Sequence, residues 1–289
     1  MKKTLSLRID KSLNGKIVRE ILINHIKLSK NIVKNLKKYD DGILVNGERV
    51  NVLKTVKEGD ELLLTMHEKQ NSDIAPFDVK IEVLYEDEDI IVFNKPYAMP
   101  THPSRNHPSD TLANAMVHYF KGENITFHAI TRLDRDTSGA VLIAKNAYSA
   151  QSLGKDMKEK RIIKEYVAVV NGVPKEKSGI IAAPIRRKTE GKVLRCIASD
   201  GKEAITKYCV EKENGSFSVV SLFPITGRTH QLRVHMSHIG NPIYGDTMYG
   251  ALQSGERTRL HCRKISFFHP ATHEEMTIEA PLPSDIRLY

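Results

Sequence analysis

Apolar and polar positions change their period several times along the chain, and each change marks an element. Over residues 14–38, NGKIVREILINHIKLSKNIVKNLKK, apolar residues recur at helical spacing. Ile17, Ile21 and Leu22 form one stripe and Ile32, Val33 and Leu36 another. A break near Leu28-Ser29 divides them, with Ser29 placed to cap the second helix. GILVNGERV holds two short runs around Asn46-Gly47, which predicts a hairpin, and Gly59-Asp60 predicts a turn into the strand ELLL. HEKQNSDIAP, at 67–76, is polar and aperiodic and reads as a linker.

A second unit follows. FDVKIEVLYEDEDIIVFNKP predicts an alternating strand, an acidic turn and a buried strand over Ile90–Phe93, stopped at Lys95-Pro96. SDTLANAMVHYFKG predicts an amphipathic helix with a polar cap and a closing Gly122. Next come a strand at Ala140–Ala144, a helix over about Ser149–Lys160, the strand KEYVAVVNG, and a strand pair turning at Asn214-Gly215. RTHQLRVHMSHIG predicts a helix closed by Gly240, and the remainder is strand, turn, strand. Turns, more often than helices, join neighbouring strands. The expected fold class is therefore α+β, a mixed, largely antiparallel central sheet with flanking helices, preceded by a small N-terminal α/β domain. The expected boundaries are 1–70 for the small domain, 71–77 for the linker and 78–289 for the large domain.

Composition narrows the class of function. The chain has 289 residues, 40% hydrophobic and 27% charged, which suits a globular protein and not a disordered one. No apolar run approaches the ~20 residues of a membrane span, and MKKTLSLRIDKSL lacks the apolar core of a signal peptide. Cys196, Cys209 and Cys262 are widely spaced and offer neither a disulfide framework nor paired metal-ligand spacing, so a cytoplasmic location is expected. Net charge is +9, and residues 1–70 hold 15 Lys+Arg against 9 Asp+Glu, leaving 29 against 26 for the rest. The excess is concentrated at the N-terminus, where Arg19, Lys30, Lys34, Lys37 and Lys38 are candidates to hold the phosphates of a nucleic acid.

The candidate chemistry lies in HAITRLDRDTSGAVL, where Arg132 and Arg135 alternate with Asp134 and Asp136 ahead of a Thr-Ser-Gly turn. A carboxylate used as nucleophile or base must stay ionised while shielded from water, and only opposite charge or donated hydrogen bonds achieve that. Arg132 and Arg135 are the local candidates. A second basic stretch, PITGRTHQLRVHMSHIG, places Arg228 after a glycine at the expected start of a helix, with Thr229 able to cap it and Arg233 and His235 following. His230, His235 and His238 do not fall on one helical face and have no Cys or carboxylate companion, so no metal is expected.

RLDRDTSG, KEYVAVVNG and TGRTHQLRVHM, in this order and at roughly these separations, resemble the three sequence motifs of the RluA-type pseudouridine synthases. The similarity extends over about residues 78–285, through EDEDIIVFNKPYAMPTHPS, NPIYGDTMYG and LHCRKISFFHPATHEE. LSKNIVKNLKK, GILVNGERV and VKEGDELLL are similar to an S-four-like RNA-binding domain. One departure is visible: Thr131 stands where that family usually has histidine.

The resemblance implies the pseudouridine synthase fold and isomerisation of specific uridines in structured RNA, without redox cofactor, metal or ATP. It implies that Asp134 is the catalytic carboxylate, that Arg228 pairs with it, and that Tyr166 stacks on the target base. Leu232 would line the uracil pocket, and Arg132 would fill the gap left by the extruded base. The expected partner is ribosomal RNA, with transfer RNA as a further candidate, and the expected state is a monomer with no membrane association. A non-catalytic RNA-binding protein is the competing expectation.

Overall fold

A computed structural model describes residues 2–68, 74–121, 123, 126–190, 193–252 and 256–287. The first part of the chain comprises β1 (Lys2–Arg8), α1 (Val18–Glu20) running into a wide turn at Ile21–His25, and α2 (Lys30–Leu36). β2 (Ile43–Val45), β3 (Glu48–Arg49) and β4 (Glu61–His67) complete a four-stranded sheet in the order β1-β4-β2-β3. The predicted break between the two helices is present, and Ser29 Oγ accepts a hydrogen bond from the Ile32 amide at 3.3 Å. The Asn46-Gly47 turn places both residues at positive φ, 53° and 82°, as a tight hairpin requires. β1 was not foreseen. KKTLSLR alternates between exposed and half-buried positions and contains no fully buried residue, as suits an edge strand.

The rest of the chain builds a ten-stranded sheet. Its elements are β5 (Glu82–Glu86), β6 (Ile90–Lys95), α3 (Leu112–Tyr119), β7 (His128–Ala129), β8 (Ser138–Ala144), α4 (Ala147–Lys158) and β9 (Ile163–Asn171). β10 (Ser178–Ala182), the small ribbon β11 (Ile185–Arg187) and β12 (Arg195–Ile197), β13 (Ile205–Glu213) and β14 (Phe217–Pro224) follow. α5 (Gln231–His238), β15 (Leu260–Phe268), β16 (Glu275–Glu279) and α6 (Ser284–Arg287) end the described chain. The sheet runs β10-β13-β14-β9-β15-β8-β6-β5, with β16 on β15 and β7 on β8. β15 pairs with β8 in parallel, whereas its pairings with β9 and β16 are antiparallel. The fold is α+β with a mixed, mostly antiparallel sheet, as expected. Thr111 caps α3 in a capping box with Asn114; Gly122, expected to close that helix, lies outside the described residues. Among the described residues, no helix is long and apolar enough to cross a membrane.

Each sheet has its own apolar core, one around Val18, Ile21, Leu22, Leu62 and Leu64, the other around β6, β8, β9 and β15. The two meet at the N-terminal end of α4. There Asp89 accepts hydrogen bonds from Lys3 Nζ at 2.6 Å, Ser149 Oγ at 2.7 Å and Asn146 Nδ2 at 2.9 Å. Gln151 accepts from the Ser29 amide at 2.5 Å and donates to the Lys27 carbonyl at 2.8 Å. Glu68 accepts from the Ala147 amide at 2.6 Å, an anion placed at the positive end of α4. The polar stretch read as a linker thus begins and ends against the larger unit. The Ala75 carbonyl accepts from Asn114 Nδ2 at 2.7 Å, and residues 69–73 lie outside the described residues.

The strand that leaves the candidate site depends on a glycine. Gly139 has φ +113°, and a Cβ there would stand 2.2 Å from the Cys262 carbonyl oxygen across the parallel β8–β15 pairing. Strain and backbone overlap act together at this position. Gly139→Ala is therefore expected to cost about 3 kcal/mol or more of folding free energy. An unchanged urea midpoint would show that this junction tolerates a side chain.

Candidate active site

The loop from Thr131 to Thr137 is fixed by short polar side chains. The Thr131 amide donates to the Leu142 carbonyl at 3.2 Å, and its Oγ1 accepts from the Leu142 amide at 2.9 Å. Threonine thus pairs the loop to β8 with its own backbone and hydroxyl, an account of its packing in place of the usual histidine. Thr101 Oγ1 donates to the Leu133 carbonyl at 2.9 Å and accepts from the Leu133 amide at 3.2 Å. A turn bond from the Thr137 amide to the Asp134 carbonyl, at 3.1 Å, swings the chain into β8.

Lys95 stands beneath this loop and is fully buried. Its ammonium donates to the carbonyls of Met99 at 2.6 Å, Pro96 at 2.9 Å and Arg135 at 3.4 Å. Burial pushes its pKa down to about 7 against the opposing pull of Asp134 and Asp136. The sequence marks Lys95 only as the end of a strand. Its one local signal is a lysine closing an apolar run.

Above the loop lies a cleft of about 830 Å³ whose lining includes Arg132, Asp134, Tyr166, Arg228 and Leu232. The five residues expected at the site therefore share one cavity. The Asp134 carboxylate sits half-buried and accepts no hydrogen bond from the described residues, so it is open to the cleft. Burial raises its pKa, and Arg233, then Lys95, oppose that rise most strongly. Tyr166, at the Cys262 register position between β9 and β15, is 6% exposed. Burial, the neighbouring thiol and Asp134 push its phenol pKa well above 10.0. Arg132 is exposed at the cleft.

Arg228 does not take the role expected for it. Its Nε donates to the Glu203 carbonyl at 2.8 Å, and it is not among the principal charges acting on Asp134. The reason is local. The helix begins at Gln231, after His230 in the left-handed region at φ 56°, so Arg228 lies in a loop and Thr229 does not cap the helix. Gln231 Oε1 instead accepts from the Arg228 amide at 3.0 Å and Thr226 Oγ1 at 2.8 Å. The nearby cation is Arg233, the third residue of α5 and 2% exposed. Asp246 holds it in a two-pronged pair, Nε to Oδ2 at 2.6 Å and Nη2 to Oδ1 at 2.7 Å, while Nη1 stands 4.0 Å from Asp136.

The remaining candidates lie apart from the cleft. Arg19, Lys30, Lys34, Lys37 and Lys38 are exposed on and just beyond α1 and α2, with no acidic partner among the described residues. His230 bonds the Tyr249 hydroxyl at 2.7 Å, and His235 bonds Thr206 at 2.9 Å and the Ala183 carbonyl at 3.0 Å. No group of three metal-ligating side chains occurs among the described residues.

A family model described as RNA pseudouridylate synthase matches residues 89–238, which hold the loop, Tyr166 and α5. The chain is 39% identical over 263 residues to the uncharacterized RNA pseudouridine synthase YjbO of Bacillus subtilis, covering 90% of this chain and 93% of that protein. It is 33% identical over 265 residues to ribosomal large subunit pseudouridine synthase D of Vibrio parahaemolyticus, covering 86% and 81%. Human RNA pseudouridylate synthase domain containing 1 superposes with a TM-score of 0.59 at 32% identity, covering 71% of this chain and 84% of that one.

Two outcomes are expected from the charges around Asp134. Replacing Arg233 with Gln and Asp246 with Asn together removes the principal cation without stranding a buried charge. The Asp134 pKa should then rise further, read by carboxyl-carbon NMR titration, whereas Arg228→Gln should leave it in place. Equal effects of the two changes would refute this assignment. A carboxyl whose pKa is raised by folding also costs stability once ionised, above its folded pKa, and costs nothing below its unfolded value. Asp134→Asn should therefore raise Tm at pH 7 and have much less effect near pH 3; a lowered Tm at pH 7 would contradict it.

Proposed function

The chain belongs to the RNA pseudouridylate synthase family, and on that footing we propose that it converts uridines of large-subunit ribosomal RNA to pseudouridine. The enzyme class, an RNA pseudouridine synthase acting as an isomerase, follows from the family. The narrower choice of ribosomal RNA is supported by the relative from Vibrio parahaemolyticus, whose name assigns it to the large ribosomal subunit.

One observation carries the mechanism: a carboxylate with no hydrogen bond from the described protein, open to a cleft walled by Tyr166 and Leu232. Uracil fits between a phenol ring and an aliphatic side chain, with its sugar toward the carboxylate. Asp134 acts there in its ionised form at the sugar, as carboxylates do in other glycosidic chemistry; the base leaves through N1, turns and bonds through carbon 5, which loses its proton while N1 takes one up. Arg233 and Lys95 favour that ionised form from behind. A uridine within folded RNA must first leave its stack, which costs a few kcal/mol. Arg132, exposed at the cleft, is suited to stack in the space it vacates. Arg228 borders the same space and is assigned to substrate contact.

The first 70 residues act as an S-four-like RNA-binding domain, followed by a linker at 71–77 and the catalytic domain at 78–289. In that domain Arg19, Lys30, Lys34, Lys37 and Lys38 contact phosphates and position the RNA without reading its sequence. We place the enzyme in the cytoplasm as a monomer.

The test is a pseudouridine map of total RNA by carbodiimide treatment and reverse transcription, from cells with and without the gene. A reverse-transcription stop in large-subunit ribosomal RNA should vanish without the gene, return with the wild type and fail to return with Asp134→Asn. Tight RNA binding with an unaltered map would support a binding protein in place of an enzyme.

A further inference from the structure

One wall of the cleft holds cations that no described residue neutralises. Lys160 and Lys164 line it, where the C-terminal end of α4 passes into β9. Lys164 is two residues before Tyr166 on β9 and shares its face, whereas Glu165 on the other face pairs with Arg263. Lys164 is half-buried, yet among the described residues its ammonium has neither hydrogen bond nor ion pair.

Other sequestered cations among the described residues have partners: three backbone carbonyls surround the Lys95 ammonium, and carboxylates meet others. Lys3 meets Asp89, Lys145 meets Glu86, Arg233 meets Asp246 and Arg257 meets Asp285. A shielded ammonium with neither counter-charge nor hydrogen-bond acceptor is unfavourable unless a ligand supplies one. Burial accordingly pushes the Lys164 pKa down.

Lys160 gives an independent observation. The α4 helix ends in a Schellman motif, with the Arg161 amide bonded to the Asp156 carbonyl at 2.8 Å and the Lys160 amide to the Met157 carbonyl at 3.3 Å. That motif puts Lys160 in the left-handed region at φ 57°, a place where glycine is favoured. Lys155 and Lys158 already supply positive charge to the last turn, so helix-dipole compensation does not require a third lysine. The strained residue carries its charge at the mouth of the cleft.

We propose that Lys160 and Lys164 bind backbone phosphates of the RNA strand that carries the target uridine, an inference that rests on the function proposed above. Tyr166 and Asp134 would then engage base and sugar, while the two lysines hold the chain that enters the cleft.

The probe is unmodified large-subunit ribosomal RNA transcribed in vitro, with binding measured across a salt series and turnover measured as pseudouridine formed. Lys164→Met should raise KM about tenfold with kcat nearly unchanged, and Lys164→Arg should restore most of the loss. Each lysine removed should flatten the log–log salt dependence by roughly 0.7–0.9. Lys160→Gly should show the same binding defect while raising Tm by about 2 °C or more, a combination that a purely structural lysine would not give. Wild-type slopes and KM in both variants, with an active wild type, would overturn the inference and leave the proposed function standing. A lowered Tm for Lys160→Gly without a binding defect would overturn it for Lys160. Flattened slopes with a wild type that forms no pseudouridine would uphold the phosphate site and overturn the proposed function.

Discussion

The mechanism proposed for the cleft turns on keeping one half-buried carboxylate charged. Asp134 receives no hydrogen bond from the described protein, and burial drives it toward the neutral acid. What opposes that drift is the field of Arg233 and Lys95, and neither cation is free to move. Asp246 grips the guanidinium with two hydrogen bonds, and three backbone carbonyls surround the ammonium. The protein spends its own hydrogen bonds on the cations and leaves the carboxylate bare. A bare carboxylate beside fixed positive charge can react with a substrate without first shedding protein partners.

Much of the fold was legible because apolar spacing is a local property. The helix break at Ser29, the Asn46-Gly47 hairpin, the Asn214-Gly215 turn and the strand carrying Tyr166 all follow from residues within a few positions of one another. β1 was not legible, since an edge strand with no buried residue leaves little imprint on the pattern. The α+β class followed from counting turns against helices between strands, which needs no knowledge of pairing.

The site was legible in membership and less so in wiring. Motif positions gathered Arg132, Asp134, Tyr166, Arg228 and Leu232 around one cavity. Which arginine of TGRTHQLR faces Asp134 depends on where the helix begins, and that is set by the left-handed His230 and the side-chain bonds of Gln231. Neither is visible in a one-dimensional pattern. Lys95 was hidden for a related reason, because its three carbonyl partners come from the following turn and from the distant loop around Asp134.

The helix α4 joins two regions through its opposite ends. Asn146, Ser149 and Gln151, at or near its N-terminal end, lie at the contact with the first sheet, whereas the chain just beyond Lys158 borders the cleft. At twelve residues it measures about 18 Å. It works as a spacer of fixed length, so the RNA contacts proposed on the two units stand at a set separation.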